Sequence, residues 1–217
     1  MRCIGVFGGT FDPIHYGHLR TALEVRQRLE LSHVRFVPCC EPPGGKSPLM
    51  DPAMRLHMVQ AAIESEEGFV ADAREIERGG VSYTVDTLAS LRIDYPTTPI
   101  ALMMGMDAFL SLTAWHKWAQ FLDLAHIVVA HRPGWQAPDS GVLGNLIASR
   151  SVTDKHQLHT ELAGCIHVAP VTQLEISSSD LRDSISAGVD PKYLVTPSVR
   201  EIILKMECYA KENATEV

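Results

Sequence analysis

The chain has 217 residues with a formal net charge of −7, and its five cysteines, at positions 3, 39, 40, 165 and 208, form no C-x-x-C pair. This length suits a single α/β domain, and an odd cysteine count without that spacing favours reduced thiols over a disulfide framework or a zinc cluster. The negative net charge argues against broad binding of nucleic acid or anionic membranes. The chain has neither an apolar run of about 18 residues nor a signal stretch, so we expect a cytoplasmic protein.

The most informative segment lies directly after the first predicted strand, residues 3–7, and consists of GGTFDPIHYGH at residues 8–18. Paired glycines let the backbone approach a ligand closely. The helix predicted over residues 17–31 can turn its N-terminal N–H groups toward an anion. His15 and His18 are one helical turn apart, so their side chains should point the same way. The segment therefore predicts a nucleotide-phosphate site.

Two other interpretations of the histidine pair are open from the residues alone. With Asp12 as a third ligand, the pair could form half of a metal site, or the histidines could be solvated side chains at a helix start. Neither interpretation explains the paired glycines. The glycines at 5, 8 and 9 do not form G-x-G-x-x-G, so a hydride-transfer enzyme is not indicated.

Short apolar runs alternate with helical patterns along the rest of the chain, which predicts a parallel sheet covered by helices. Strands are expected at residues 34–38, 69–71, 100–104, 127–130 and 165–169. Helices are expected at residues 52–66, 83–92, 178–187 and 197–209, the first of them capped by Asp51 with Pro52 at its first position. Residues 135–164 have a poor pattern and are interpreted as a loosely helical insertion. One domain is expected over residues 1–210, followed by a polar tail at 211–217.

Four residues outside the motifs are given structural interpretations. Arg55 is a candidate for an ion pair and receives no role in a site. Glu75 and Glu77 are interpreted as a solvated strand edge, and Trp118 as a core or interface residue.

A second polar group, ISSSDLR at residues 176–182, is typical of a helix start in which serines cap the first turn ahead of Asp180. Residues 8–18 resemble the G-G-[ST]-F-D-P-x-[HT]-x-G-H signature of the H-x-G-H nucleotidyltransferases. Residues 176–182 resemble the I-S-S-T-x-[IL]-R element of the same superfamily. The two resemblances together imply an enzyme that transfers a nucleotidyl group.

The middle of the chain is similar to bacterial nicotinate-nucleotide adenylyltransferases in its SYT, GMD and HRPG segments and in its tryptophans, Trp115 and Trp118. The resemblance covers residues 1 to about 205 and rests on six short motifs in the same order. It implies a Rossmann-like, doubly wound α/β domain with a five- or six-stranded parallel sheet and a small C-terminal helical part. The implied reaction joins ATP and nicotinate mononucleotide into nicotinate adenine dinucleotide and releases pyrophosphate.

The resemblance also implies roles for individual residues. The residues expected to act on the reacting phosphates are His15, His18, Lys46 and Arg182. The residues expected to hold ATP are Gly8, Gly9, Thr10, Phe11, His18, Gly105, Asp107, Ser178, Ser179 and Arg182. The residues expected to hold nicotinate mononucleotide are Lys46, Tyr83, Thr84, Trp115 and Arg132. Mg²⁺ is the implied cofactor, and it needs few protein ligands because it bridges phosphate oxygens and keeps its waters.

One departure from the family pattern concerns the loop after the second strand. Family members carry P-P-H-[KR] there, whereas this chain has PPGGK at residues 42–46, without the histidine and with an extra glycine. Lys46 is therefore expected on a looser loop. Two alternatives to the implied reaction are another H-x-G-H nucleotidyltransferase, acting on pantetheine phosphate or a cytidylyl donor, and a nucleotide-binding module without catalytic activity. The sequence does not predict an oligomeric state.

Overall fold

A computed structural model of the protein describes residues 2–44, 47–131, 138–172 and 174–210. Its sheet has six strands: β1 (Ile4–Gly9), β2 (Val34–Pro38), β3 (Phe69–Ala71), β4 (Ile100–Gly105), β5 (His126–His131) and β6 (Ile166–Pro170). All neighbouring strands are parallel, and their order is β3-β2-β1-β4-β5-β6. This order reverses direction between β1 and β4, as in the doubly wound dinucleotide-binding folds. The predicted fold class is confirmed.

The helices lie between the strands and at the C-terminal end. They are α1 (Tyr16–Arg28), α2 (Pro52–Ile63), α3 (Arg74–Arg78), α4 (Thr84–Asp94), α5 (Met106–Leu110), α6 (Phe121–Leu124), α7 (Gly141–Arg150), α8 (Gln157–Thr160), α9 (Ser178–Ser186) and α10 (Pro197–Lys205). Two short 3₁₀ turns cover Leu112–Ala114 and Trp118–Gln120. None of the helices in the described ranges is long and apolar enough to cross a membrane.

The predicted helix caps at the start of α2 and α9 are confirmed. The Asp51 side chain accepts a hydrogen bond from the backbone N–H of Met54, and Pro52 occupies the first position of α2. The Ser177 side chain accepts from the N–H of Asp180 at the start of α9. In both helices a side-chain oxygen satisfies one of the N–H groups that the helix itself leaves free.

Apolar layers cover both faces of the sheet. Along β4, Ala101 and Met103 pack into one layer, while Ile100, Leu102 and Met104 pack into the other. Burial on both faces explains why this strand is a continuous apolar run rather than an alternating pattern.

The helical character predicted for residues 135–164 is confirmed over the described residues 138–164. This stretch contains α7 and α8, and Leu158 of α8 is fully buried in the core. His159 ties α8 to the first strand region, because its Nδ1 accepts from the N–H of Cys3 at 3.1 Å. Its Nε2 lies 3.0 Å from the carbonyl oxygen of Leu29. The segment is part of the domain.

The C-terminal part of the described chain is a folded turn. The helix predicted over residues 197–209 ends at Lys205, and the following turn carries Cys208 and Tyr209, both buried. The predicted tail, residues 211–217, lies outside the described ranges. All five cysteines are free thiols, as predicted.

Candidate active site

A cavity of 1180 Å³ opens at the carboxyl ends of β1, β4 and β5, on the line where the strand order reverses. Ligands of open α/β sheets bind at this position because the loops after the two neighbouring strands lead to opposite faces of the sheet and leave a crevice between them. The predicted site residues that line it are Gly8, Gly9, Thr10, Phe11, His15, His18, Tyr83, Thr84, Gly105, Asp107, Trp115 and Ser178. Ser179 and Arg182 are not among the described lining residues. Lys46 and Arg132 lie outside the described ranges.

The histidine pair occupies the first turn of α1. His15 is the residue before the helix, and His18 is the third residue within it. Their imidazole rings stack, with 3.7 Å between the ring centroids. The backbone N–H of His15 donates to Nδ1 of His18 at 3.3 Å. Because Nδ1 of His18 is an acceptor, the neutral ring carries its hydrogen on Nε2. His18 therefore keeps one donor for a ligand in the cavity.

Both imidazoles are neutral near pH 7. Burial lowers the pKa of His15 from 6.5 to about 4. Burial and then the charge of His15 lower the pKa of His18 well below its usual value. The buried Nδ1 of His15 has no hydrogen-bond partner among the described residues, and such an atom is costly unless a ligand or water satisfies it.

Backbone without side chains borders the cavity at two glycines. A Cβ built on Gly8 or on Gly105 would meet no heavy atom within 4 Å. The space beside both residues is therefore open to a ligand that approaches the main chain. Gly105 precedes α5, whose first turn carries the exposed side chain of Asp107.

Aromatic side chains form the opposite wall. Tyr83 precedes α4, and its ring lies 4.4 Å from that of His116. Trp115 donates from Nε1 to the hydroxyl of Ser111 at 3.3 Å and packs edge-on against Phe121. His116 was missed by sequence reasoning, although its position next to Trp115 was a usable signal. Trp118 is half-buried and packs against the apolar layer without being one of its buried residues.

A buried carboxyl group that sequence reasoning missed also lines the cavity. Glu75 accepts a hydrogen bond from the hydroxyl of Thr87, one turn into α4, and burial raises the pKa of Glu75 above its usual value. The predicted strand edge at Glu75 and Glu77 is wrong, because both belong to α3. A five-residue helix is too short to produce a periodic pattern that could be recognised in the sequence.

Ser178 and Arg182 hold the loop that leads into α1. The Ser178 hydroxyl donates to the carbonyl oxygen of Pro13 at 3.0 Å. Arg182 donates from Nη1 to the carbonyl oxygen of Asp12 at 2.7 Å and from Nη2 to the hydroxyl of Ser179 at 3.2 Å. The start of α9 thus lies against the phosphate-loop motif, as the two sequence motifs suggested.

The ion pair predicted for Arg55 is wrong. Its side chain is fully buried, and its guanidinium donates to the carbonyl oxygens of Thr10, Cys40 and Met50 at 2.7, 2.9 and 3.1 Å. A planar guanidinium with five donors suits three carbonyls that converge from separate segments. Arg55 therefore links three loops: the one after β1 at Thr10, the one after β2 at Cys40 and the one before α2 at Met50.

The fold, the open phosphate loop and the neutral histidine pair together define a nucleotidyltransferase of the Rossmann-like class. The family model described as cytidylyltransferase-like matches residues 6–184. A solved structure with the same fold is the Plasmodium falciparum nicotinic acid mononucleotide adenylyltransferase complexed with NaAD, with a TM-score of 0.72, 16% identity and coverage of 96% of this chain and 98% of that chain.

The sequence relatives are more specific. A probable nicotinate-nucleotide adenylyltransferase of Methylococcus capsulatus is 46% identical over 209 residues, covering 96% of this chain and all of the relative. A probable nicotinate-nucleotide adenylyltransferase of Aeromonas salmonicida is 44% identical over 206 residues, covering 95% and 96%. The chain belongs to the nicotinate-nucleotide adenylyltransferase family.

Proposed function

We propose that this protein transfers the adenylyl group of ATP to nicotinate mononucleotide, giving nicotinate adenine dinucleotide and pyrophosphate in NAD biosynthesis. The observation that carries the proposal is the cavity itself. One wall is the glycine-rich loop with the His15–His18 pair, and the other is the aromatic wall of Tyr83 and Trp115. At 1180 Å³ the cavity is larger than the about 300–1,000 Å³ of sites that hold one drug-sized ligand, as a site for two substrates should be.

The chemistry needs positioning more than proton transfer. The mononucleotide phosphate attacks the α-phosphorus of ATP in line, a new P–O bond forms, and the bond to the β-phosphate breaks to release pyrophosphate. The attacking phosphate is already anionic, so no general base is required. Nε2–H of His18 donates to the α-phosphate, where negative charge must be stabilised in the transition state. The unpartnered Nδ1 of His15 supports a second hydrogen bond to the reacting phosphates.

The remaining predicted roles divide between the two substrates. The open backbone at Gly8 and Gly105 supports binding of ATP against the main chain, with Asp107 accepting from ribose hydroxyls. Ser178, Ser179 and Arg182 close the triphosphate side through the start of α9. Lys46 is proposed to steady the leaving pyrophosphate, and Arg132 to bind the mononucleotide.

The acceptor ring is proposed to lie against Trp115, with its substituent facing backbone N–H groups near Thr84 and Trp115. Those groups are donors only, so a carboxylate satisfies them and a carboxamide turns its NH₂ toward at least one of them. Each mismatch costs about 1–3 kcal/mol when buried. Nicotinate mononucleotide should therefore be preferred over nicotinamide mononucleotide by about 10²- to 10⁴-fold in specificity constant.

Magnesium is the proposed cofactor. Among the described residues no three His, Cys, Asp or Glu side chains come together as a metal site. Mg²⁺ does not require such a cluster, because it keeps several waters and is commonly bound through substrate phosphates with few protein carboxylates. Bound to the triphosphate, the ion would neutralise phosphate charge. We also propose a cytoplasmic location, which the five free thiols support because that compartment keeps thiols reduced.

The test is a direct synthesis assay with ATP, Mg²⁺ and an equimolar mixture of the two mononucleotides at fixed ATP. We expect nicotinate adenine dinucleotide and stoichiometric pyrophosphate, with little nicotinamide product. Equal specificity constants would contradict the acceptor preference and leave the adenylyl transfer in place. Absence of pyrophosphate with either mononucleotide would reject the proposed reaction, and parallel reactions with pantetheine phosphate would then test the alternative acceptor.

A further inference from the structure

The turn between the two glycines and the histidine pair is held from outside by three side chains. Its backbone carbonyls at Thr10, Asp12 and Pro13 accept from Arg55, Arg182 and Ser178 respectively. These donors come from α2 and α9, which are distant from the turn in sequence. Distant parts of the tertiary structure therefore help to position the turn.

The carboxyl group of Asp12 is a fourth anchor of the same turn. Its side chain is only 2% exposed. Oδ2 accepts from the N–H of Leu49 at 2.8 Å, and Oδ1 accepts from the N–H of Met50 at 3.3 Å and from the hydroxyl of Tyr209 at 2.8 Å. The Tyr209 bond is the shorter of the two on Oδ1. Without it, Oδ1 would keep only the 3.3 Å bond from Met50, and a buried carboxyl oxygen with one long hydrogen bond is poorly satisfied.

Tyr209 reaches Asp12 from the far end of the chain. It lies in the turn after α10, is 5% exposed, and has a positive φ of 66°. A tyrosine in this left-handed backbone region is uncommon, so the surrounding packing must hold it there. Burial, followed by the charge of Asp12, raises the pKa of Tyr209, which keeps the phenol protonated and able to donate. Tyr209 is not among the residues that line the cavity, so any effect on the reaction must pass through Asp12.

We propose that Tyr209 is a positioning residue for the reaction. Its phenol fixes the Asp12 carboxyl, and Asp12 lies in the turn that connects the glycines of the phosphate loop to His15 and His18. The inference rests on the proposed adenylyl transfer. Displacing a reacting group by about 1 Å can lower a rate about 100-fold. The first turn of α1 follows Asp12 by only three residues, so a shift of Asp12 is transmitted directly to both imidazoles.

The experiment compares Tyr209→Phe with Tyr95→Phe. The Tyr95 hydroxyl accepts from Nη1 of Arg35 at 3.0 Å, and neither residue lines the cavity. Each variant therefore loses one phenol hydrogen bond to an ionisable group, at Asp12 in one case and at Arg35 in the other. We expect Tyr209→Phe to lower kcat about 10- to 100-fold with both KM values within about threefold of wild type. Tyr95→Phe should stay within twofold in kcat.

A second measurement does not depend on activity. Hydrogen exchange of the amides of residues 8–18, measured without substrates, should be faster in Tyr209→Phe and unchanged in Tyr95→Phe. In an Asp12→Asn background the same Tyr209→Phe change should have a smaller effect on exchange and on kcat, because both substitutions disturb one interaction.

These measurements separate the inference from the proposed function. Wild-type protein that forms no dinucleotide would reject the proposed reaction, whereas faster exchange in Tyr209→Phe alone would still support the anchoring of the turn. The positioning role is overturned if Tyr209→Phe keeps kcat within twofold of wild type or leaves exchange of residues 8–18 unchanged. Equal losses of kcat in the two tyrosine variants would overturn it as well.

Discussion

Replacing His18 separates its two functions in the first turn of α1. Its Nδ1 accepts from the N–H of His15 at 3.3 Å, so Nε2 is the donor that His18 can offer as a residue lining the cavity. Asparagine places an amide oxygen near the position of Nδ1 but has no donor near Nε2. Glutamine is one bond longer, so its amide nitrogen reaches the region of Nε2. The pair of variants His18→Asn and His18→Gln therefore tests the donor separately from the helix start.

The expected magnitude follows from losing one donor to the transition state. Such a loss lowers turnover about 10²- to 10³-fold, equivalent to about 2.7–4 kcal/mol of activation free energy. His18→Asn and His18→Ala should both show it, while binding of the mononucleotide changes little. His18→Gln should recover part of the loss. The imidazole also packs edge-on against Phe11 at 5.1 Å between ring centroids, so each variant should lose about 0.5–1.5 kcal/mol of stability for that contact.

The assay is steady-state pyrophosphate release at saturating ATP and nicotinate mononucleotide, with thermal unfolding to show that each variant is folded. His57→Ala is the control, because His57 is an exposed residue of α2. A folded His18→Asn protein that keeps turnover within a few-fold of wild type would refute the donor role. The histidine would then act only at the helix start.

Three further predictions concern the rest of the site. Arg182→Lys keeps the charge, but a single ammonium group cannot hold both the Asp12 carbonyl and the Ser179 hydroxyl; KM for ATP should rise or kcat should fall, and unchanged kinetics would make Arg182 a surface residue. Trp115→Ala should weaken mononucleotide binding by about 1–3 kcal/mol with ATP binding nearly unchanged in calorimetry, whereas equal losses would indicate a core tryptophan. Burial lowers the pKa of His15 to about 4, so this group takes up its proton near pH 6.5 in the unfolded chain and only near pH 4 in the folded chain. The contribution of His15 to the free energy of unfolding should therefore fall by about 3 kcal/mol between pH 7 and pH 4. In urea unfolding, His15→Phe should lose less stability than wild type over this range by about that amount.

The sheet and the phosphate loop could be predicted from the sequence because their signals are local. A strand such as β4 is a continuous apolar run, and the caps of α2 and α9 depend on residues three positions apart. The H-x-G-H motif places both histidines on one turn whatever surrounds it. Short elements such as α3 escaped prediction because five residues are too few to establish a period.

The assignment of substrates to the two walls of the cavity also began in the sequence, since family motifs are contiguous strings. The fold then brought those motifs to one cavity, whose lining includes residues 8–11, 15, 17, 18, 82–84, 105, 107 and 115. Because all the strands are parallel, the loops that follow them leave the sheet at the same edge.

Only the tertiary structure decided which partners the buried polar groups have. The side chains that donate to the turn before His15 are distant from their acceptors in sequence. Arg55 is 45 residues from Thr10, and Arg182 and Tyr209 are 170 and 197 residues from Asp12. Arg55 and Tyr209 carry no local pattern that distinguishes them from an ion-pair arginine or a core tyrosine. A buried donor or acceptor must find a partner within hydrogen-bond distance, and which group comes within that distance depends on how distant segments pack, not on the residues beside it in the chain.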